Sequence, residues 1–119
     1  MQSPDLQRLC HIRDYCEEIR KTIARYGAEF SVFDTDADYQ RSVSFCILQI
    51  GELCGSLSEE YRKRTEAEMP WKAMKGMRNL VAHSYGTMKR ETIWNTAIED
   101  IPELLRFCEK ECVKGTQEI

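Results

Sequence analysis

Leu6, Leu9, Ile12, Cys16, Ile19 and Ile23 follow one another at spacings of three and four, the repeat of one helix face. The pattern predicts a first helix from Asp5 to about Tyr26, with Ser3-Pro4 as its start and Gly27 as its stop. Ala28 to Thr35 reads as a short connector. From Asp36 to about Leu57, the residues Val43, Phe45, Cys46, Ile47, Leu48, Ile50, Leu53 and Cys54 are apolar nearly all round, as in a helix central to a bundle. Ser58-Glu59-Glu60-Tyr61 has the form of an N-cap opening a short third helix. Pro70 is placed to begin a fourth, carrying Trp71, Met74, Met77, Leu80 and Val81 and ending near Gly86. A last helix is predicted from about Arg90 to Val113. Its buried stripe is Ile93, Ala97, Ile101, Leu104, Leu105 and Cys108, and Pro102 should bend it.

These elements predict an all-α fold: a four- to five-helix, up-and-down bundle with a short extra helix. The 119 residues suit one domain spanning 1–119, long enough to bury a core. With 42% hydrophobic and 31% charged residues, the chain has the balance of a folded protein. Three prolines and six glycines are too few for the many tight turns of an all-β fold. No apolar run approaches the roughly 20 residues of a membrane span, and Met1-Gln2-Ser3-Pro4-Asp5 has no secretory pattern. A cytoplasmic protein with no membrane partner is therefore expected. Cys10, Cys16, Cys46, Cys54, Cys108 and Cys112 lie in helical patterns without a CxxC pair. They read as reduced, partly buried thiols rather than zinc ligands, and no metal or other cofactor is expected.

The net charge is −3, against a general nucleic-acid coat, but its distribution is uneven. Residues 61–90 hold eight cations and two anions, a local +6 on a body of −9. A basic segment on an acidic body suits a local anion site. Arg78 and His83 lie in that segment. Histidine can move a proton near neutral pH, and arginine can grip a phosphate through two parallel hydrogen bonds. Together they suit attack of a ribose 2′-hydroxyl on its neighbouring phosphate, a reaction open to RNA and not to DNA. Their five-residue offset is about 140° and about 7.5 Å on an ideal helix, so they do not share a tight face. Either the helix loosens near His83, or two chains each contribute to a shared site. There is no aromatic–basic ladder for single-stranded RNA, so binding to isolated RNA is expected to be weak or confined to the cleft. Arg41, Phe45, Leu48 and Glu52 form a stripe of the second helix, and a carboxylate there calls for a cation. Arg78 and Arg41 are both candidates within the chain, and a cation of another chain is a third. His11 falls on the polar side of the first helix and reads as an ordinary surface residue.

Arg78-Asn79, His83 and Tyr85, within the run from Pro70 to Gly86, resemble the signature of the HepT-like branch of the HEPN superfamily. Ile50-Gly51-Glu52, Ile93-Trp94 and Ile101-Pro102-Glu103-Leu104 are similar to further elements of that family, over roughly residues 5 to 112. The resemblance implies a HEPN-type bundle that acts as a homodimeric endoribonuclease toxin. Arg78 and His83 would be catalytic, with Asn79 and Glu52 supporting the site. It also implies a nucleotidyltransferase antitoxin as partner, which transfers AMP to Tyr85. A non-catalytic dimer serving as AMP acceptor or binding scaffold for that partner is the alternative.

Overall fold

A computed structural model describes residues 3–82 and 90–117 of the chain. The described residues form helices joined by short turns, with no strand among them. Helix α1 runs Pro4–Tyr26. The Ser3 hydroxyl accepts from the Leu6 amide at 3.1 Å, and Pro4 occupies the first turn, where its missing N–H costs nothing. Gly27, at φ +112°, ends the helix in a conformation L side chains rarely adopt.

The expected connector is a helix. Helix α2 spans Phe30–Thr35 and buries Phe33. Six residues do not hold a helix in water unaided. Here Phe33 packs edge-on against Tyr39 at 5.2 Å and tilted against Trp94 at 5.3 Å, and the Tyr39 hydroxyl donates to the Gly27 carbonyl at 2.9 Å. Tertiary packing therefore supplies what local periodicity lacks. The same cluster shows Trp94 to be an anchor of the core.

Helix α3 (Ala37–Ser56) is capped by Asp36, whose carboxylate accepts from the Tyr39 amide at 3.1 Å. It is the central element, packed against α1 and against the helices that follow. Val43, Ile47, Ile50 and Cys54 are buried in this packing and meet Leu9, Ile12, Cys16 and Ile19 of α1 in one core. Helix α4 (Glu59–Thr65) opens at Ser58, whose hydroxyl accepts from the Tyr61 amide at 3.1 Å. The Trp71 indole donates to the Thr65 hydroxyl at 2.8 Å, which anchors the chain where it turns at Pro70.

The single helix expected after Pro70 is divided. Helix α5 covers Trp71–Lys75, Gly76 makes a turn, and helix α6 covers Met77–Ala82. Met69, Met74 and Met77 are buried in the core, whereas Gly86, the expected end of that helix, lies outside the described residues. The last helix is likewise composite. Helix α7 (Arg90–Asn95) leads into a π turn over Thr96–Asp100 and then into α8 (Ile101–Gln117). The Ile101 amide donates to the Thr96 carbonyl, five residues back. Pro102 has no N–H to donate, and the expected bend takes the form of this widened turn just before it.

Candidate active site

The site is built where α6 crosses α3, and a glycine sets how close they come. A Cβ added at Gly51 would lie 2.5 Å from the Arg78 amide nitrogen and 3.0 Å from its Cα. Only a residue without a side chain admits that approach. One helical turn on, the Lys75 stem covers Gly55, its Cγ 3.3 Å from where a Cβ would stand. The α5–α6 segment thus rests backbone-first on a small-residue face of α3.

That approach puts Arg78 beside Glu52, and their side chains form an ion pair between Nε and Oε1. Arg41, the other candidate within the chain, pairs instead with Asp38 at 2.9 Å. The Arg78 side chain is 52% exposed and that of Glu52 50% exposed, so the pair holds the guanidinium while leaving part of it open to solvent. Nε is engaged by the carboxylate, and among the described residues no partner occupies the outer guanidinium nitrogens, the donors that would face an anion. The pair itself, in contact with water, adds about 0–1 kcal/mol of stability, so its value is positional.

Asn79 is also exposed, and its amide donates to the Gly76 carbonyl at 3.0 Å, which ties the start of α6 to the turn before it. Lys75 joins Arg78 on the same side of the crossing, a cation the motif reading did not single out. Its signal was present in the basic segment 61–90. Gly51 was legible only as part of Ile50-Gly51-Glu52; a glycine inside a helix is the mark of a close approach. His83 and Tyr85 lie outside the described residues, as does any contact they make with Arg78. Among the described residues no group of three or more His, Cys, Asp or Glu side chains could hold a metal ion. No helix among them is long and apolar enough to cross a membrane.

The Ribonuclease HepT-like family model matches residues 12–111. The chain belongs to this HepT-like family, a branch of the HEPN superfamily. The match takes in α3, the α5–α6 crossing and the 78–85 motif together. Among curated HepT-like relatives, "Putative RNase TTE0752" of Caldanaerobacter subterraneus subsp. tengcongensis is 32% identical, covering 79% of this chain and 81% of its own. "Probable ribonuclease HepT" of Thermococcus cleftensis is 32% identical over 82% of this chain and 93% of its own. "Putative RNase MJ0125" of Methanocaldococcus jannaschii is 29% identical over 74% and 83%. No solved structure gives a significant match to this HepT-like chain.

Proposed function

We propose that the chain is a metal-independent endoribonuclease, the toxin of a toxin–antitoxin pair, acting in the cytosol as a homodimer with Arg78 and His83 as catalytic residues. The observation that carries this reading is the half-open Arg78 guanidinium, positioned by Glu52 over the Gly51 crossing, five residues before the motif histidine. The names of the relatives, "Putative RNase" and "Probable ribonuclease HepT", point the same way.

In the proposed reaction, neutral His83 takes the proton of a ribose 2′-hydroxyl. The 2′-oxygen bonds to the adjacent phosphorus, and the bond from phosphorus to the 5′-oxygen breaks. That oxygen leaves with a proton taken from water, His83 gives up to water the one it took, and the upstream strand ends in a 2′,3′-cyclic phosphate. Arg78 binds the non-bridging oxygens and offsets the charge gathering there. Glu52 keeps its guanidinium in place, and Asn79 supports the site from the next position along α6. The antitoxin is a nucleotidyltransferase that joins AMP to the Tyr85 hydroxyl, with pyrophosphate leaving from ATP. A bulky anionic adenylate two residues from His83 would compete with RNA phosphate for the cleft.

RNA digestion by the wild type, Arg78→Ala and His83→Ala tests the reading. Wild-type cleavage is expected to survive a chelator, to leave cyclic phosphate ends and to spare DNA. Each variant should lose at least about 100-fold in rate. Cleavage retained in both variants, or abolished by the chelator, rules the proposal out. Co-expression with the nucleotidyltransferase should add one AMP to the intact mass, and Tyr85→Phe should prevent it. AMP on Tyr85 in a protein that cuts no RNA would make it an acceptor or scaffold instead.

A further inference from the structure

The stripe of α3 that carries Glu52 has a symmetry its own chain does not use. Phe45 at its centre is 55% exposed, one of the few large apolar side chains left open among the described residues. Leu48, one turn on, is half-buried. Arg41 stands four residues before Phe45, and Glu52 four residues after Leu48. The order is cation, apolar, apolar, anion, with spacings of four, three and four, so it reads the same in both directions except for the sign of the charge. The midpoint falls between Cys46 and Ile47. Arg41 and Glu52 are about 16 Å apart along the helix.

A surface of this kind fits a second copy of itself. We infer that two chains pair α3 against α3 in antiparallel fashion about a twofold axis at this midpoint, so that the partner's Arg41 enters the Glu52–Arg78 site. This rests on, and deepens, the proposed homodimer. In a twofold contact each patch meets its own image, so a stripe must be complementary to its reverse. Here Phe45 meets the partner's Leu48, and Arg41 meets the partner's Glu52. The next positions outward agree. Asp38 falls opposite Gly55, the glycine whose face the Lys75 stem covers, so a carboxylate again meets a cation. Among the described residues Arg41 pairs with Asp38, at side-chain exposures of 75% and 78%. A surface pair of that kind contributes about 0–1 kcal/mol, so exchanging it across the axis costs little.

One helix face does not reach the ~1,200 Å² of total buried surface that stable pairs need. The flanks supply the rest. Tyr15 of α1 packs edge-on against Phe45 at 6.1 Å, and α6 with Arg78 lies on the other side of the stripe. In the pair, Glu52 is shared between Arg78 and the partner's Arg41. Two guanidinium groups then face one phosphate, and removing the second copy leaves the site with one.

Sedimentation equilibrium at micromolar concentration tests the contact. The wild type is expected to be a dimer, and Phe45→Glu a monomer. Arg41→Glu, a wholly surface change that keeps the inquiry open should Phe45→Glu not fold, should raise the dimer Kd at least about tenfold. The exchange Arg41→Glu with Glu52→Arg should recover much of that loss. Above the Kd, Arg41→Ala should still be dimeric yet cut RNA at least about tenfold more slowly. Co-expressed Arg41→Ala and Arg78→Ala chains should regain one intact site per mixed dimer. A monomeric wild type, or folded Phe45→Glu and Arg41→Glu proteins that dimerise like the wild type, overturns the inference. These outcomes separate the two readings. A dimer broken by Phe45→Glu whose wild type cuts no RNA keeps the interface and ends the nuclease proposal, while an active dimer untouched by both changes does the reverse.

Discussion

At the scale of single residues, the site depends on two features of α3 that act on Arg78 in different ways. Glu52 holds the guanidinium from outside, in a half-exposed pair of small energetic weight. Glu52→Gln is therefore expected to change stability by no more than about 1 kcal/mol while lowering cleavage at least about tenfold. A kinetic comparison alongside a chemical denaturation curve checks this, and equal activity would remove Glu52 from the site. Gly51 acts from beneath, through backbone rather than charge. A methyl at Gly51 would sit 2.5 Å from the Arg78 amide nitrogen, so Gly51→Ala must push α6 away. Overpacking of that kind costs about 1–3 kcal/mol, and the displaced arginine should lose activity as well. A lowered Tm together with lost cleavage is the expected signature. Stability lost without activity would mean that the crossing sets packing alone. A cation beside Glu52 was readable in advance because a carboxylate on an apolar helix calls for one, though the sequence left Arg78, Arg41 and another chain open as its source. The role of Gly51 was not, because a glycine in a helix signals a close neighbour without saying which.

At the scale of elements, the long amphipathic helices were legible and the short ones were not, for a physical reason. Helices α1 and α3 carry several turns of periodic apolar residues and side-chain caps at Ser3 and Asp36, so pattern and cap agree on their limits. Helix α2 has one turn and a half, too short for periodicity to show, and exists because Phe33 finds a pocket between Tyr39 and Trp94. The break at Gly76 and the π turn before Pro102 are also decided by packing, on a periodic pattern that runs through both unbroken. If packing forms α2, its loss should be a tertiary event. Phe33→Ala is expected to cost about 3–5 kcal/mol, as for other buried aromatics, because it opens a void between the two rings. Denaturant unfolding measures this. A cost below about 1 kcal/mol would show that α2 is a loosely attached connector after all. Since α2 lies away from the α3–α6 crossing, the fraction that remains folded should keep its cleavage rate.

At the scale of the whole molecule, the cysteines make the fold sensitive to alkali. Cys16, Cys46, Cys54, Cys108 and Cys112 are all buried, and Cys112 shares a hydrogen bond with Cys10 at 3.1 Å, joining the two ends of the chain. Burial pushes the Cys46 thiol up to about 11, and those of Cys54 and Cys112 up to about 12. Those of Cys16 and Cys108 rise further, burial again being the main cause, with neighbouring thiols adding to it. In the unfolded chain the same thiols titrate near 9. Because the folded values are raised, the stabilisation they represent is full below pH 9 and is lost as pH climbs toward 11 and 12. In that window the unfolded chain releases protons that the folded chain retains. Each thiol then withdraws on the order of 1 kcal/mol by one unit above its unfolded value. Five such thiols act in the same sense, so alkali opposes the fold at several points of one core. Tyr39 and Tyr61, also raised by burial, act in the same sense above pH 10. Thermal melts under reducing conditions should therefore show a Tm nearly level between pH 7 and 8.5 that falls steeply beyond 9. Cys46→Ala should make the fall shallower while lowering the starting Tm. The same burial predicts that Cys16, Cys54 and Cys108 react with a thiol reagent at pH 8 only after denaturant is added, because a thiolate cannot form where water does not reach. A level Tm through pH 10.5, or rapid labelling of all six cysteines in the native protein, would contradict a core built around these thiols.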